Sequence, residues 1–259
     1  MPQLAVPVTL THHVLSAANL APAKHKVRMQ AVADLITIAF YYLLRVGEYT
    51  HKKKEKGSLT VPFRIKDITF RDINGHAIPL DSKLATLKTA KEATMRIANQ
   101  KTGIKGACIH VEALVADPTN CPIKALARRV HHVMSSGGNL ETPIYHYYPK
   151  RGTAAKVTPH LINETVKNAA MSIGLDKHGY TRDDVSSHSL RAGGAMAMHL
   201  NGVSVTVIKL QGRWSSTSSS FMSYIHEQIS AFAAGVSEKM SRNIQFRHIS
   251  GPTVTPLPQ

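Results

Sequence analysis

Four residues near the C-terminal end of the chain have side chains that could act together on a phosphate. His188 and Arg191 lie three positions apart, a spacing that places both side chains on one face of a helix. Trp214 follows 23 residues after Arg191, and Tyr224 follows ten residues after Trp214. A guanidinium can donate two parallel hydrogen bonds to a phosphate, an imidazole can accept a proton, and a phenol can act as a nucleophile. Taken singly, each residue is better explained as a surface or core residue.

A long helix upstream could supply a further cation. Apolar residues at helical spacing predict that this helix extends from about His25 to Tyr49, with a buried central part. Arg45 lies near its C-terminal end, and Glu48 follows almost one turn later. Glu48 could orient Arg45 or His188, or it could be a simple exposed acid.

The pattern then changes from helical to strand-like. Residues 61–115 alternate between apolar and polar, and Asn74 followed by Gly75 is a strong hairpin signal. A second hairpin is expected from residues 94–99 and 107–111, joined by a loop that contains Lys101 and Lys105. The sequence therefore predicts one small antiparallel sheet.

The second half of the chain is predicted to be mainly helical. Its helices are expected to begin at residues that favour helix N-termini, which are Pro122, Thr158 with Pro159, Ser186 or Ser187, and Ser204. Residues 141–157 are expected to form a loop. Two further helices are expected, one around Tyr224 and one over residues 229–240. The outline is α+β and mainly helical.

Composition narrows the class of partner. The 259 residues include 32 Lys and Arg against 16 Asp and Glu, which gives a net charge of +16. Such an excess favours a polyanionic partner, most simply nucleic acid, although a basic protein without such a partner is the plain alternative. The two cysteines lack metal-ligand spacing, and the most apolar run, residues 35–44, is too short to cross a membrane. No secretion signal is evident, so an intracellular location is expected.

Taken in order, these residues resemble the catalytic domain of the tyrosine recombinases, or integrases. The resemblance rests on five motifs, which are LLRVGE (43–48), ANQKTGIKG (98–106), HSLRAGG (188–194), GRW (212–214) and YIH (224–226). Together these motifs extend over nearly all of residues 27–240. The residues of these motifs most resemble those of recombinases from eukaryotic mobile elements of the DIRS-like or crypton kind. The implied fold is the tyrosine recombinase catalytic-domain fold with a small antiparallel β-sheet.

The resemblance implies a reaction and a role for each residue. Such enzymes break and rejoin DNA through a 3′-phosphotyrosyl intermediate, and they need neither a metal nor another cofactor. The implied roles are nucleophile for Tyr224, phosphate clamp for Arg45 and Arg191, proton acceptor for His188, phosphate support for Trp214, and general acid for Lys101. Lys105 lies in the same loop and is the alternative to Lys101.

The resemblance also implies domain limits and partners. Residues 1–26 would be an N-terminal extension or linker, residues 27–245 the catalytic domain, and residues 246–259 a disordered tail. The expected partner is double-stranded DNA, with self-association into a synaptic tetramer on DNA and no membrane. In a eukaryotic host the location would be nuclear.

Two departures from the family pattern keep other functions open. The interval from Trp214 to Tyr224 is slightly longer than is usual, and residues 1–26 are too few for the helical DNA-clamping domain that relatives carry. One alternative is therefore a catalytically inactive DNA-binding remnant of a mobile element. A topoisomerase-like activity that relaxes DNA and a basic RNA-binding module are further alternatives. The RNA-binding alternative is weaker because the sequence lacks the aromatic strand motifs expected of such a module.

Overall fold

The computed structural model describes residues 4–51, 59–99 and 106–215. In these ranges the helices are α1 (Thr9–Leu20), α2 (Ala23–Tyr41), α3 (Val46–Tyr49), α4 (Leu84–Leu87), α5 (Pro122–Ser135), α6 (Pro159–Ser172), α7 (Ser187–Leu200) and α8 (Val205–Gly212). The strands are β1 (Ile68–Arg71), β2 (Ala77–Ile78), β3 (Glu92–Arg96), β4 (Cys108–Glu112), β5 (His146–Lys150) and β6 (Thr153–Lys156). The prediction of an α+β, mainly helical chain is confirmed.

Helix α2 lies at the centre of the hydrophobic core. Every residue from Ala31 to Phe40 is buried, so this part of the helix has no solvent-facing side. Helices α1, α5 and α7 pack around it. No helix among the described residues is long and apolar enough to span a membrane.

The main sheet has the strand order β2-β1-β3-β4, and each neighbouring pair is antiparallel. Its inner face is apolar, because Met95 pairs with Ile68 on one side and Ile109 on the other, and all three are buried. Gly75 forms the first hairpin turn with φ +79°, a value that glycine adopts without strain. Both predicted hairpins are therefore present. The loop joining β3 to β4 carries Lys101 and Lys105, which lie outside the described residues.

The helix predicted to continue from His25 to Tyr49 is in fact broken. Helix α2 ends at Tyr41, and α3 begins at Val46. Between them Leu43 adopts φ +49°, and the Glu48 carboxylate accepts the backbone N–H of Arg45 at 2.8 Å, which starts the second helix. The prediction was wrong here because Tyr42, Leu43 and Leu44 in the break are buried hydrophobic residues, so the hydrophobic pattern continues through it.

A further helix occupies the segment that was expected to be an extension or linker. In α1 the buried residues Leu10, Val14, Leu15 and Ala18 form one apolar face that packs against α2. The chain before α1 is also held, since the Val6 N–H donates to the Ser189 carbonyl at 3.4 Å. The limits of the catalytic domain stay a prediction.

A second hairpin lies where the sequence indicated only a loop. Strands β5 and β6 pair with each other and turn at Gly152, which has φ +80°. Pro149 lies within β5, and the pairing shifts register between Tyr147 and Lys150. This irregularity interrupts the alternation by which a strand is recognised, so the prediction of a loop over 141–157 was wrong.

The predicted helix starts agree with the structure. Pro122 and Pro159 are the first residues of α5 and α6, and Thr158 caps α6 by accepting the Leu161 N–H at 3.3 Å. Ser186 rather than Ser187 caps α7, and Ser204 caps α8. These signals are local, so they can be identified without knowledge of the tertiary fold.

Candidate active site

Helix α7 carries two of the predicted site residues. The Ser186 hydroxyl accepts the His188 N–H at 3.1 Å, which fixes the start of the helix. Gly193 and Gly194 then allow close packing, because a side-chain carbon on either would overlap the backbone carbonyl of Val6 or Phe40. The face of α7 that carries these two glycines therefore lies directly against the backbone of Val6 and of Phe40. This contact holds α7 tightly against the C-terminal end of α2.

Arg191 is almost completely buried, with 2% of its surface exposed. Its Nη1 donates to the Leu43 carbonyl at 2.5 Å, and its Nη2 donates to the Gly212 carbonyl. The guanidinium carbon lies 4.1 Å from the centre of the Trp214 ring, which is a cation–π contact. A side chain at position 212 would overlap that ring, so Gly212 is required for the stacking. Arg191 is thus fixed between two carbonyls and an indole.

Arg45 lies at the break between α2 and α3 and is more accessible than Arg191. About 24% of its side chain is exposed, whereas the carboxylate of Glu48 is 1% exposed. Nη1 of Arg45 lies 3.5 Å from Oε1 of Glu48, and the backbone N–H of Arg45 donates to Oε2. Of the readings proposed for Glu48, contact with Arg45 is the one these hydrogen bonds support.

Arg213 is a third arginine at the site, and it was not among the residues predicted from the sequence. Its side chain is 6% exposed. Nη2 of Arg213 donates to the Leu43 carbonyl and to Oε2 of Glu48, both at 3.0 Å. The signal that could have found it is its position in GRW, where an arginine directly precedes the tryptophan. It was overlooked because only the tryptophan matched a known role.

His188 lies at the solvent-facing side of this cluster. Although the residue is exposed, the protein around it disfavours the charged form and lowers the pKa of its imidazole below the ordinary 6.5. The positive charges of Arg191 and Arg45 lower that pKa further. His188 is therefore neutral at pH 7, the form in which an imidazole can accept a proton.

The described part of the site has an excess of positive charge. Arg45 and Arg213 both contact the carboxylate of Glu48, and Arg191 shares the Leu43 carbonyl with Arg213. Such a cluster suits an anionic group. Within the described ranges no group of three or more His, Cys, Asp or Glu side chains is placed to hold a metal ion.

Four of the six predicted site residues therefore come together, from α7, from the α2–α3 break and from the end of α8. They are Arg45, His188, Arg191 and Trp214. Lys101 and Tyr224, like the alternative Lys105, lie outside the described residues, as do the helices predicted around Tyr224 and over 229–240. The catalytic roles of all six stay predictions.

Comparison with solved structures shows which fold this is. The XerH site-specific recombinase in a post-cleavage complex with its difH substrate matches 92% of this chain at 16% identity, with a TM-score of 0.52. The XerA recombinase matches 93% at 16% identity, with a TM-score of 0.51. The Tn1549 transposon integrase in complex with transposon right-end DNA matches 93% at 9% identity, with a TM-score of 0.50.

The chain therefore has the fold of a tyrosine recombinase catalytic domain, and the resemblance carried by the motifs is confirmed. It spans 54% of the XerH chain, and 67% of the XerA and of the Tn1549 integrase chains. No protein-family model and no curated protein matches the sequence. The closeness to eukaryotic mobile elements stays a prediction.

Proposed function

We propose that this chain breaks and rejoins DNA by transesterification, in site-specific recombination or integration. The observation that carries the proposal is the convergence of Arg45, His188, Arg191 and Trp214 in one basic site. That convergence occurs in a chain whose fold is that of tyrosine recombinases. Similarity of fold alone does not assign an activity, so the proposal depends mainly on the arrangement of these four side chains.

In the proposed reaction the oxygen of Tyr224 attacks the scissile phosphate. A bond forms between that oxygen and phosphorus as the bond from phosphorus to the 5′-oxygen breaks. The proton of Tyr224 passes to His188, and the leaving 5′-oxygen takes a proton from Lys101. Attack by the free 5′-hydroxyl of another strand reverses the step, so no external energy source is needed.

The described geometry supports this chemistry in two ways. A phenol with a pKa of about 10 costs roughly 4 kcal/mol to ionise at pH 7. The positive charges of Arg45 and Arg191 would lower that cost by favouring the phenolate, while a neutral His188 is available to take the proton as the new bond forms. Because Arg191 is buried while Arg45 is partly exposed, Arg45 would meet the phosphate at the surface and Arg191 would act from beneath. Loss of one preorganised donor of this kind typically lowers the rate by about 10²–10³.

The proposed substrate is double-stranded DNA. The XerH and Tn1549 structures are complexes with DNA. In this chain the outer face of the main sheet forms an open groove of about 420 Å³ whose lining includes Lys66, Arg71, Arg96 and His110. Gln211 of α8 donates to the His110 carbonyl at 3.1 Å, so this groove adjoins the helix that precedes Trp214. A DNA backbone could therefore contact the groove and the site together.

The test is a covalent-trapping experiment. Nicked duplexes that carry candidate element ends are incubated with the protein without added metal, and protein–DNA adducts are sought on a denaturing gel. We expect an adduct with the wild type and none with Tyr224→Phe. Tyr147→Phe is the matched control, because Tyr147 lies on β5 and has no part in the proposed site. An adduct that persists in Tyr224→Phe would show that another residue is the nucleophile.

A catalytically inactive DNA-binding protein is the second candidate. It is favoured by the long interval from Trp214 to Tyr224, and by the fact that both terminal nitrogens of Arg191 already donate to backbone carbonyls. Salt-sensitive DNA binding without any adduct, on duplexes that bind tightly, would favour this candidate over the active enzyme.

A further inference from the structure

Two strained backbone positions meet at the candidate site. Among the described residues, Leu43 with φ +49° and Arg213 with φ +58° are the non-glycine residues that have positive φ. This conformation is unfavourable for residues with a side chain and persists only where the surroundings enforce it. The two residues contact each other, because Nη2 of Arg213 donates to the Leu43 carbonyl at 3.0 Å. Strain at both ends of one hydrogen bond points to a specific structural role for that contact.

Each strained turn places one part of the site. The turn at Leu43 ends α2 and exposes a carbonyl that accepts hydrogen bonds from both Arg191 and Arg213. The turn at Arg213 ends α8, since the Arg213 and Trp214 N–H groups donate back to Leu210 and Lys209. That turn sets the Trp214 ring over Arg191.

Arg213 connects the two arginines of the predicted phosphate clamp. It shares the Leu43 carbonyl with Arg191, and it shares the Glu48 carboxylate with Arg45. Its described side-chain hydrogen bonds all come from Nη2, while Nε and Nη1 are buried without a hydrogen-bond partner. A buried cation held at one nitrogen is costly unless an opposite charge is near, and Glu48 supplies that charge at 3.0 Å.

We propose that Arg213 is a positioning residue, which holds Trp214 over Arg191 and holds Glu48 against Arg45. Its effect on DNA cleavage rests on the proposed function, whereas its effect on Trp214 does not. Arg213 acts through Glu48 and the Leu43 carbonyl, and it does not touch the phosphate. A single nitrogen makes both contacts, so a lysine, which also presents one nitrogen with several donors, can replace it.

The test uses the fluorescence of Trp214, the only tryptophan in the 259-residue chain. In Arg213→Met we expect emission shifted to longer wavelength and acrylamide quenching increased severalfold, because the ring leaves Arg191. In Arg213→Lys we expect emission and quenching close to the wild type. If trapping shows the wild type to be active, Arg213→Met should cleave about 10²-fold more slowly, the usual effect of misplacing catalytic groups by about 1 Å. Arg213→Lys should restore most of the rate.

A matched control separates positioning from general loss of stability. Arg129 is likewise buried and donates to the carbonyls of Ile144 and His146, but it lies on α5 and contacts β5. Arg129→Met should lower the melting temperature and leave the emission and quenching of Trp214 unchanged in the folded protein.

The outcomes that overturn the proposal are distinct from those that overturn the proposed function. Wild-type emission in a folded Arg213→Met variant would show that Arg213 does not hold Trp214. If Arg213→Met does not fold, the Arg213→Lys variant is the test by itself. Emission typical of a solvent-exposed Trp214 in Arg213→Lys would then refute the proposal that one nitrogen at position 213 is enough to hold the ring. A rate as low in Arg213→Lys as in Arg213→Met, with native emission in Arg213→Lys, would instead mean that the guanidinium binds phosphate itself. Failure of the wild type to form an adduct would refute the proposed function and leave the fluorescence result intact.

Discussion

Backbone carbonyls orient two arginines of the site, and Arg45 and Arg213 share the one carboxylate of Glu48. Arg191 donates to the carbonyls of Leu43 and Gly212, and Arg213 donates to that of Leu43. A carbonyl orients a guanidinium without cancelling its charge, whereas a carboxylate would neutralise it. The side chains are thus fixed in place while the site keeps the positive field that a phosphate would require.

The pKa of His188 gives a prediction for the pH dependence of cleavage. The surrounding protein, which disfavours the charged form, and the charges of Arg191 and Arg45 lower that pKa below 6.5, so His188 stays neutral at pH 7 and gains its proton only at lower pH. We expect the cleavage rate to fall as the pH drops through this pKa, since the protonated imidazole cannot accept the proton of Tyr224. Single-turnover rates measured against pH should show this acid limb below pH 6.5.

The His188→Ala variant tests the assignment. It should lower the rate by about 10²-fold, as expected for loss of a general base, and it should remove the acid limb. His76→Ala is the control, because His76 is 79% exposed and lies in the first hairpin of the sheet; that variant should keep both rate and profile. An unchanged acid limb in His188→Ala would assign the titration to another group.

The types and order of the site residues could be predicted from the sequence, whereas most of the contacts that these residues make could not. Arg45, His188, Arg191 and Trp214 were selected by type and order, and the structure brings them together. Arg213 had no role in the family motifs, and its contact with the carbonyl of Leu43, which depends on a left-handed turn, could not be predicted either. No glycine marks that turn, so residue types gave no indication of it.

Among the elements, the interruption between α2 and α3 matters most for the site. It lets the chain present a carbonyl at Leu43 and a helix N-terminus at Arg45 within three residues. The sequence predicted the starts of α5, α6, α7 and α8 because a single proline or hydroxyl determines each. It could not predict the interruption, which depends on tertiary hydrogen bonds.

The close packing of α7 on α2 gives a prediction about stability. A methyl group at Gly194 would overlap the Phe40 carbonyl and the Leu43 side chain. Alanine is favoured over glycine inside a helix by about 1 kcal/mol, but overpacking against a rigid backbone commonly costs about 1–3 kcal/mol. We therefore expect Gly194→Ala to lower the free energy of unfolding by up to about 2 kcal/mol, as measured by urea denaturation.

Gly47→Ala is the matched control for this prediction. A methyl group there would lie 3.5 Å from a side-chain carbon of Thr60, an ordinary contact. In α3 the helix preference of alanine should therefore prevail, so that Gly47→Ala is neutral or slightly stabilising. Equal stability of Gly194→Ala and the wild type would show that α7 can move away from α2 at no cost.

For the whole molecule, the net charge of +16 predicts DNA binding that weakens steeply with salt. Arg71 and Arg96 lie on the exposed face of the sheet and line its groove. If each neutralises one phosphate, the double variant Arg71→Gln/Arg96→Gln should reduce the slope of log K against log[salt] by about 2. The loss of affinity should be similar for unrelated duplexes, because phosphate contacts carry no sequence information.

The control removes the same charge from another surface. Arg28 and Arg151 are exposed and lie outside the groove, so Arg28→Gln/Arg151→Gln should leave the slope nearly unchanged. Fluorescence anisotropy at several salt concentrations measures both variants. Equal slopes for the two double variants would show that the sheet groove makes no phosphate contact.

The global fold was predicted from motifs and not from hydrophobic pattern. Helix and strand periods gave an α+β outline that many folds would satisfy, and the hairpin at residues 146–156 escaped them. The order of the arginine, histidine and tryptophan motifs selected one fold from that outline, and the solved recombinases share it.

The contacts of Leu43 also determine when the site can exist during synthesis of the chain. Its carbonyl accepts hydrogen bonds from Arg191 and Arg213, which lie 148 and 170 positions later in the sequence. The carboxylate of Glu48 accepts a hydrogen bond from Arg213, which lies 165 positions after it. Contacts of such long sequence separation form late in folding. A ribosome that has completed α7 but not the turn after α8 has produced a chain with Arg45 and Arg191 but without the residue that joins them. The complete set of described site contacts therefore cannot form until almost the whole of the described chain has been translated.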